Sequence, residues 1–273
     1  MTLGAFMLTA WDFEPSIVIG CAALLAGYFA ASPRPFSRAA WFVSGVVVMF
    51  LALVSPLDAL ADNYLFSAHM VQHMLLILVV PPLLILGLPA TLIERALKLP
   101  GVARGERILA QPALAWTIGI ATEWLWHWPA FYNAALASES LHVVEHLCFL
   151  VSAVIFWWPI FAPLARCRLA PLAAMLYLAA GALAGSLLGI LLTFADAGLY
   201  PAYLKPNDVY GILSLVRDSW GITAAADQQL GGLLMWVPGG AVFLLAIIAV
   251  MARWYGEERV TAGIYAHHQG GAN

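Results

Sequence analysis

Five histidines in this chain fall in or beside apolar runs, and their spacing is the first sign of chemistry. His69-Met-Val-Gln-His73 and His142-Val-Val-Glu-His146 share the form His-x-Val-(Gln or Glu)-His. Residues four apart lie on one face of a helix, so each couple offers two imidazoles in one direction. His127 stands in a third run, four residues after Glu123. Imidazole ligates copper, zinc and iron, and a thioether beside it moves the preference towards Cu(I). Met70 and Met74 flank the first couple, and Met235 lies in a later run that Asp227 opens. Gln72 and Glu145 hold matching places inside the two motifs.

These residues support several chemistries. His-x-x-Glu-His is the string of one class of zinc peptidase, in which the glutamate activates water. Two histidines on facing helices can instead ligate a haem and carry electrons. A plainer reading makes them interhelical hydrogen-bond partners, worth about 0.6 kcal/mol each. On that reading His127 belongs to an aromatic belt, Asp227 caps a helix, and the methionines pack. Copper, haem, zinc and polar packing all remain open on the residues alone.

The elements that must position them are legible from composition. Of 273 residues, 63% are apolar and 10% charged, against roughly 25% charged in a soluble domain. Apolar runs long enough to cross a bilayer predict an all-α polytopic membrane protein. Seven spans are expected, at about 16–32, 38–54, 65–88, 110–128, 140–161, 171–194 and 229–252. Pro81-Pro82 and Pro238 interrupt the third and seventh, which is tolerable where neighbours satisfy the freed carbonyls. Arg34, Arg38, Arg95, Lys98, Arg104, Arg107, Arg166, Arg168, Arg253 and Arg259 fall on one side, and only Lys205 and Arg217 on the other. That bias sets the N-terminus outside and the C-terminus in the cytoplasm. No Lys or Arg precedes Arg34, so the basic segment of a cleaved signal peptide is not expected. Cys21, Cys148 and Cys167 form no Cys-x-x-Cys clip. With a net charge of −3, membrane lipid is the expected surrounding and no nucleic acid is an expected partner.

With this orientation all five histidines lie in the outer half of the bilayer. His73 and His146 sit about 6 Å deeper than His69 and His142. Intramembrane ionisable groups are expensive and mark function, and two helices can bring four imidazoles to one point. Asp12, Glu14, Asp58, Asp62, Glu139, Asp196, Asp208, Asp218 and Asp227 lean to the same side, where an acidic vestibule would attract cations. The outer loop 195–228 holds "NDVYGILSLVRDSWG" (207–221), which predicts a short helix on the membrane surface anchored by Tyr210 and Trp220. Residues 260–273 read as a flexible tail in which His267 and His268 are incidental.

Seven strings in order, "SPLD" (55–58), "HMVQHMLL" (69–76), "PPLLILGLP" (81–89), "WHWPAFYNAAL" (126–136), "LHVVEHLCFL" (141–150), "FWWP" (156–159) and "DQQLGGLLMW" (227–236), carry a resemblance. The chain resembles the multi-span CtaG family of cytochrome c oxidase assembly factors of bacterial plasma membranes, over about residues 40–255. The resemblance implies a non-enzymatic role in maturing haem–copper oxidases through copper supply. It carries function to His69, His73, His127, His142 and His146, and also to Asp58, Glu145, Asp227 and Met235. Oxidase subunits become the expected partners and an extracytoplasmic copper chaperone the expected donor. The expected site is a copper ion between the outer ends of spans three, four, five and seven. His69, His73, His142 and His146 are its ligand pool, with Met70, Met74 or Met235 favouring Cu(I). Glu145, Asp227, Glu123, Gln72 and Asp58 stand behind them, orienting imidazoles or drawing cations in.

Overall fold

The computed structural model describes residues 2–31 and 36–270, and every regular element among them is helical. In chain order the α-helices are α1 (Leu3–Thr9), α2 (Pro15–Ala31), α3 (Phe36–Val54), α4 (Pro56–Asn63), α5 (Phe66–Met74) and α6 (Val80–Gly87). They continue with α7 (Ala90–Ala96), α8 (Pro100–Leu109), α9 (Pro112–His127), α10 (Pro129–Leu136), α11 (Glu139–Phe161), α12 (Pro171–Phe194) and α13 (Ala224–Gly270). Proline occupies the first position of α2, α4, α8, α9, α10 and α12, where its fixed φ suits the helix and its missing N–H costs nothing.

Each of the seven apolar runs is helical, but they differ in length. Among the described residues, four helices are long and apolar enough to cross a membrane: Phe66–Gly87, Glu139–Phe161, Pro171–Phe194 and Ala224–Glu257. Arg38–Val54 with Pro56–Asn63, bent by 47°, makes a fifth if the pair is one span. α2 has 17 residues. α9 has 16, which at 1.5 Å each is about 24 Å, short of the ~30 Å hydrocarbon layer. α9 stops early because Trp128 precedes Pro129 and adopts extended backbone, as a residue before proline prefers.

α5 and α6 form one rod through a π-helical turn, Leu75–Val79. Pro81 has no N–H to give the carbonyl of Ile77, four residues back. The Trp157 indole on α11 donates to that carbonyl at 2.8 Å. The freed acceptor is thus satisfied by a neighbouring helix, as the sequence required.

Close backbone approach locks other pairs. A Cβ on Gly189 of α12 would lie 2.7 Å from the Trp236 nitrogen and 2.9 Å from the Gly232 carbonyl of α13. Beneath, Ile120, Phe156, Trp157, Tyr177, Leu178 and Phe243 form an apolar core between α9, α11, α12 and α13.

The segment between α12 and α13 does make a helical turn, at Leu215–Ser219. Its apolar residues, however, face protein: Ile212 and Val216 pack with Phe6 of α1 and with Ala59 and Tyr64 around α4. Tyr210 meets Phe6 edge-on at 5.6 Å, while Trp220 is part-exposed. α13 continues to Gly270, where the sequence suggested a flexible tail from 260; Glu257, Glu258, Arg259 and the alanines are adequate helix formers. Arg34, residues 271–273 and the side chains of Arg259, His267 and His268 lie outside the described residues.

Candidate metal centre

α11 packs against α6 and the π-helical turn of the rod, and its histidine couple faces the one on α5. Ring centroids of His69 and His142 are 5.2 Å apart, His69 and His146 6.1 Å, His73 and His146 5.6 Å. His127, at the end of α9, joins from a third direction, 5.3 Å from His73. Ligand atoms of His69, His73 and His146 all lie within 4.8 Å of one another, and so do those of Asp62, His69 and His142. His69, His73, His127 and Glu145 are each at most 2% exposed. Phe149 closes the cluster below, 4.5 Å from the His73 ring.

Hydrogen-bond arithmetic fixes the tautomers. Nδ1 of His127 is 2.7 Å from the Glu123 carbonyl, which can only accept. The proton is therefore on Nδ1, and Nε2 presents a lone pair. The Tyr203 hydroxyl donates to the Ala61 carbonyl at 2.9 Å. Having given its one proton there, it accepts from His69 Nδ1 at 3.1 Å, so Nε2 of His69 is also a lone pair. His73 stands between them, with Nε2 2.7 Å from His69 Nε2 and Nδ1 3.5 Å from His127 Nε2. A neutral His73 has one proton for two lone pairs.

The surrounding atoms deepen that shortage. Nε2 of His142, Nε2 of His146, both oxygens of Glu145 and one of Asp62 are buried with no hydrogen-bond partner. Glu145 Oε1 is 3.9 Å from His73 Nε2, and Asp62 Oδ2 is 3.6 Å from His142 Nδ1. Buried polar groups are ordinarily paired. Here buried nitrogens and carboxylate oxygens converge without partners, an arrangement that a cation can complete.

The other sequence-nominated residues take different places. Asp227 does not face the imidazoles. It accepts from the backbone N–H of Phe66 at 2.8 Å and of Ser67 at 3.0 Å, and from the Ser67 hydroxyl at 2.6 Å. It therefore caps α5, the helix that carries His69 and His73, from the first turn of α13. Gln72 donates to the Ala52 carbonyl and to Asp58, tying α5 to α3 and α4. The Glu123 carboxylate lines a cavity of about 20 Å³ with Ile77, Phe149 and Ser152, away from the rings. Met70 and Met235 pack in an apolar cluster with Phe66, Leu188 and Leu192, and Met74 lies against it.

Asp62 and three tyrosines were not nominated as site residues. Tyr203 holds His69, Tyr132 bonds Tyr203 at 3.0 Å, and Tyr200 donates to the His127 carbonyl at 2.7 Å. The only sequence signal was Asp62 among the acidic residues of the outer side.

Fold and cluster together define a helical membrane protein whose convergent histidines could hold a metal ion. A model of the family described as cytochrome c oxidase caa3 assembly factor (Caa3_CtaG) matches residues 22–257, and the chain belongs to that family. Uncharacterized proteins of Mycobacterium bovis and Mycobacterium tuberculosis are each 25% identical over 287 residues, covering 97% of this chain and 42% of theirs. One of Mycobacterium leprae is 25% identical over 277 residues, covering 93% and 41%. The chain thus spans about two fifths of the length of the curated relatives it matches. No solved structure matches.

Proposed function

We propose that this assembly factor crosses a bacterial plasma membrane seven times, N-terminus outside, and carries copper to a haem–copper oxidase without catalysing a reaction. The observation behind this reading is the set of buried, unpartnered nitrogen and oxygen atoms of Asp62, His142, Glu145 and His146 beside His69 and His73. Imidazole nitrogens suit copper, and metal binding requires neutral rings such as the hydrogen bonds of His127 and His69 prescribe. An all-nitrogen ligand set with no thiolate holds an ion loosely enough to pass on, as a carrier must. Oxidase subunits would receive the ion, and an extracytoplasmic chaperone would supply it.

The rival chemistries fit less well. A haem ligated by His73 and His146 from facing helices would have to displace His69, whose Nε2 lies 2.7 Å from His73 Nε2. A peptidase would need Glu145 open to water and peptide, whereas its carboxylate is 1% exposed between helices.

Anaerobic purification followed by metal analysis and an absorption spectrum tests the proposal. About one copper per chain and no Soret band are expected, falling at least tenfold in the His73→Ala, His146→Ala double variant. Equal copper in both proteins, or haem or zinc in place of copper, overturns it.

A further inference from the structure

We propose that copper reaches the buried imidazoles through a separate outer station, formed by Asp62, His69 and His142, and moves inward by exchanging ligands around His69. This rests on the copper-carrier reading of the same cluster.

From Asp62 to His73 the donors form a series graded by exposure, while His146 of the inner set is itself partly exposed. Side-chain exposure falls from 32% at Asp62 to 13% at His142 and 0% at His69, and His73 beyond them is 1% exposed. Asp62 lies 3.6 Å from His142 Nδ1 and 3.9 Å from His69 Nδ1. Since Nδ1 carries the His69 proton, it is the Nε2 lone pair of His69 that an ion in either set would engage. From His69 the next nitrogen, His73 Nε2, is 2.7 Å away. Two three-donor sets therefore overlap, Asp62–His69–His142 outside and His69–His73–His146 inside, each within 4.8 Å.

The shared residue decides the mechanism. A neutral imidazole has one lone pair, so His69 serves one ion at a time. The two sets cannot both be filled by separate ions; they are successive positions of one. An ion held at the outer set trades Asp62 and His142 for His73 and His146 while His69 stays engaged, and never returns to bulk water between them.

The two sets also differ in chemistry. The outer one mixes a carboxylate with imidazoles and suits a hydrated cation arriving from water, while the inner one is all nitrogen and suits copper more selectively. Further out, Asp12 and Glu14 act electrostatically on Asp58, and Asp12 on Asp62, behind the larger effect of burial on both. This acidic mouth raises the local cation concentration at the outer set and speeds capture. Glu145, buried with both oxygens unpaired and 3.9 Å from His73, supplies negative charge at the inner end. Asp62 is thus a capture residue: it should govern how fast copper loads, and His146 whether it stays.

Loading kinetics separate these roles. The purified full chain in detergent is mixed anaerobically with Cu(I) delivered by a weak chelator, and chelator absorbance is followed. Asp62→Asn should load to the wild-type endpoint at least tenfold more slowly, with a weaker dependence of rate on salt, and Asp62→Glu should restore speed. His146→Ala should fail to retain the ion against excess chelator. An Asp62→Asn rate equal to wild type removes the outer station while leaving the copper site intact. Loss of the Asp62→Asn endpoint makes Asp62 a resident ligand and likewise overturns the two-position path. Wild-type protein that takes up no copper removes the carrier reading itself, and the path with it.

Discussion

At Trp157 two helices settle a freed polar atom between themselves, although the Trp116 and Trp124 indole nitrogens packed against the same core stay unpaired. The Trp157 indole takes the carbonyl that Pro81 leaves free, and the Tyr177 hydroxyl donates to the Phe156 carbonyl at 2.8 Å. Around His73, one helical turn from that indole's partner, acceptor faces acceptor, and Glu145, His142 and His146 keep buried atoms unpaired. Both regions are well packed and flanked by aromatic rings. The difference lies in what is left over: separate indole N–H groups beside the first region, several metal-ligating atoms converging on one point in the second. The first region holds the bundle together; the second gives up stability for an affinity, as functional sites do.

That contrast can be broken in several places. The strongest blow falls on the closed region: Gly189→Ala drives a methyl into the α13 backbone and should cost about 1–3 kcal/mol or more, lowering the thermal midpoint in detergent. An unchanged midpoint would mean that α12 and α13 are not in backbone contact. Trp157→Phe leaves the Ile77 carbonyl unpaired, for a loss of about 1–3 kcal/mol with copper content intact. Copper loss instead would show that the two regions are not separable.

Asp227→Ala sharpens the boundary, because this residue belongs to neither side. It uncaps α5 and should cost about 1–2 kcal/mol while loosening copper through the shifted histidines, and Asn should recover part of both. At the histidine end the sign changes. His146→Leu should leave metal-free stability within about 1 kcal/mol of wild type, or raise it, because it removes a buried nitrogen without a partner, whichever tautomer the ring carries. The same variant should lose copper, and a large fall in metal-free stability would place His146 with the structural residues.

The smallest effect is a pH dependence in the segment between α12 and α13. Desolvation pushes the Asp208 carboxyl up, but donation from the Tyr64 hydroxyl and the N–H groups of Leu213 and Ile212 outweighs it, and the group titrates below the ordinary carboxylate range. A depressed carboxylate stabilises above its unfolded value, about 3.9, and that contribution disappears as pH falls through the lower folded value. Protection factors for hydrogen exchange at Ile212 and Leu213 should therefore be high at neutral pH and fall only in acid, and Asp208→Asn should flatten the profile.

The helices were legible because apolar runs of membrane length admit little else, and the two couples because a four-residue spacing survives any packing. Asp62 was not, since the chain breaks at Tyr64 and Leu65 between α4 and α5, which resets the helical phase relating it to His69. Tyr203 reaches His69 from an irregular segment with no period to read. Asp227 had the composition of a cap for its own helix and caps another instead. The amphipathic stretch 207–221 was recognisable, but a pattern of apolar residues does not say whether lipid or protein will cover them.

The π-helical turn at Leu75–Val79 comes directly after His73. Such a turn accommodates one residue more than an α-helix would, and one residue corresponds to about 100° of rotation. The rod therefore carries two faces set at independent angles, one aiming imidazoles at α11 and one seating Leu84 and Gly87 against α3. Deleting a single residue from 75–79 would keep the rod helical yet swivel the imidazoles away from their counterparts, so this short wide turn works as the aiming screw of the cluster.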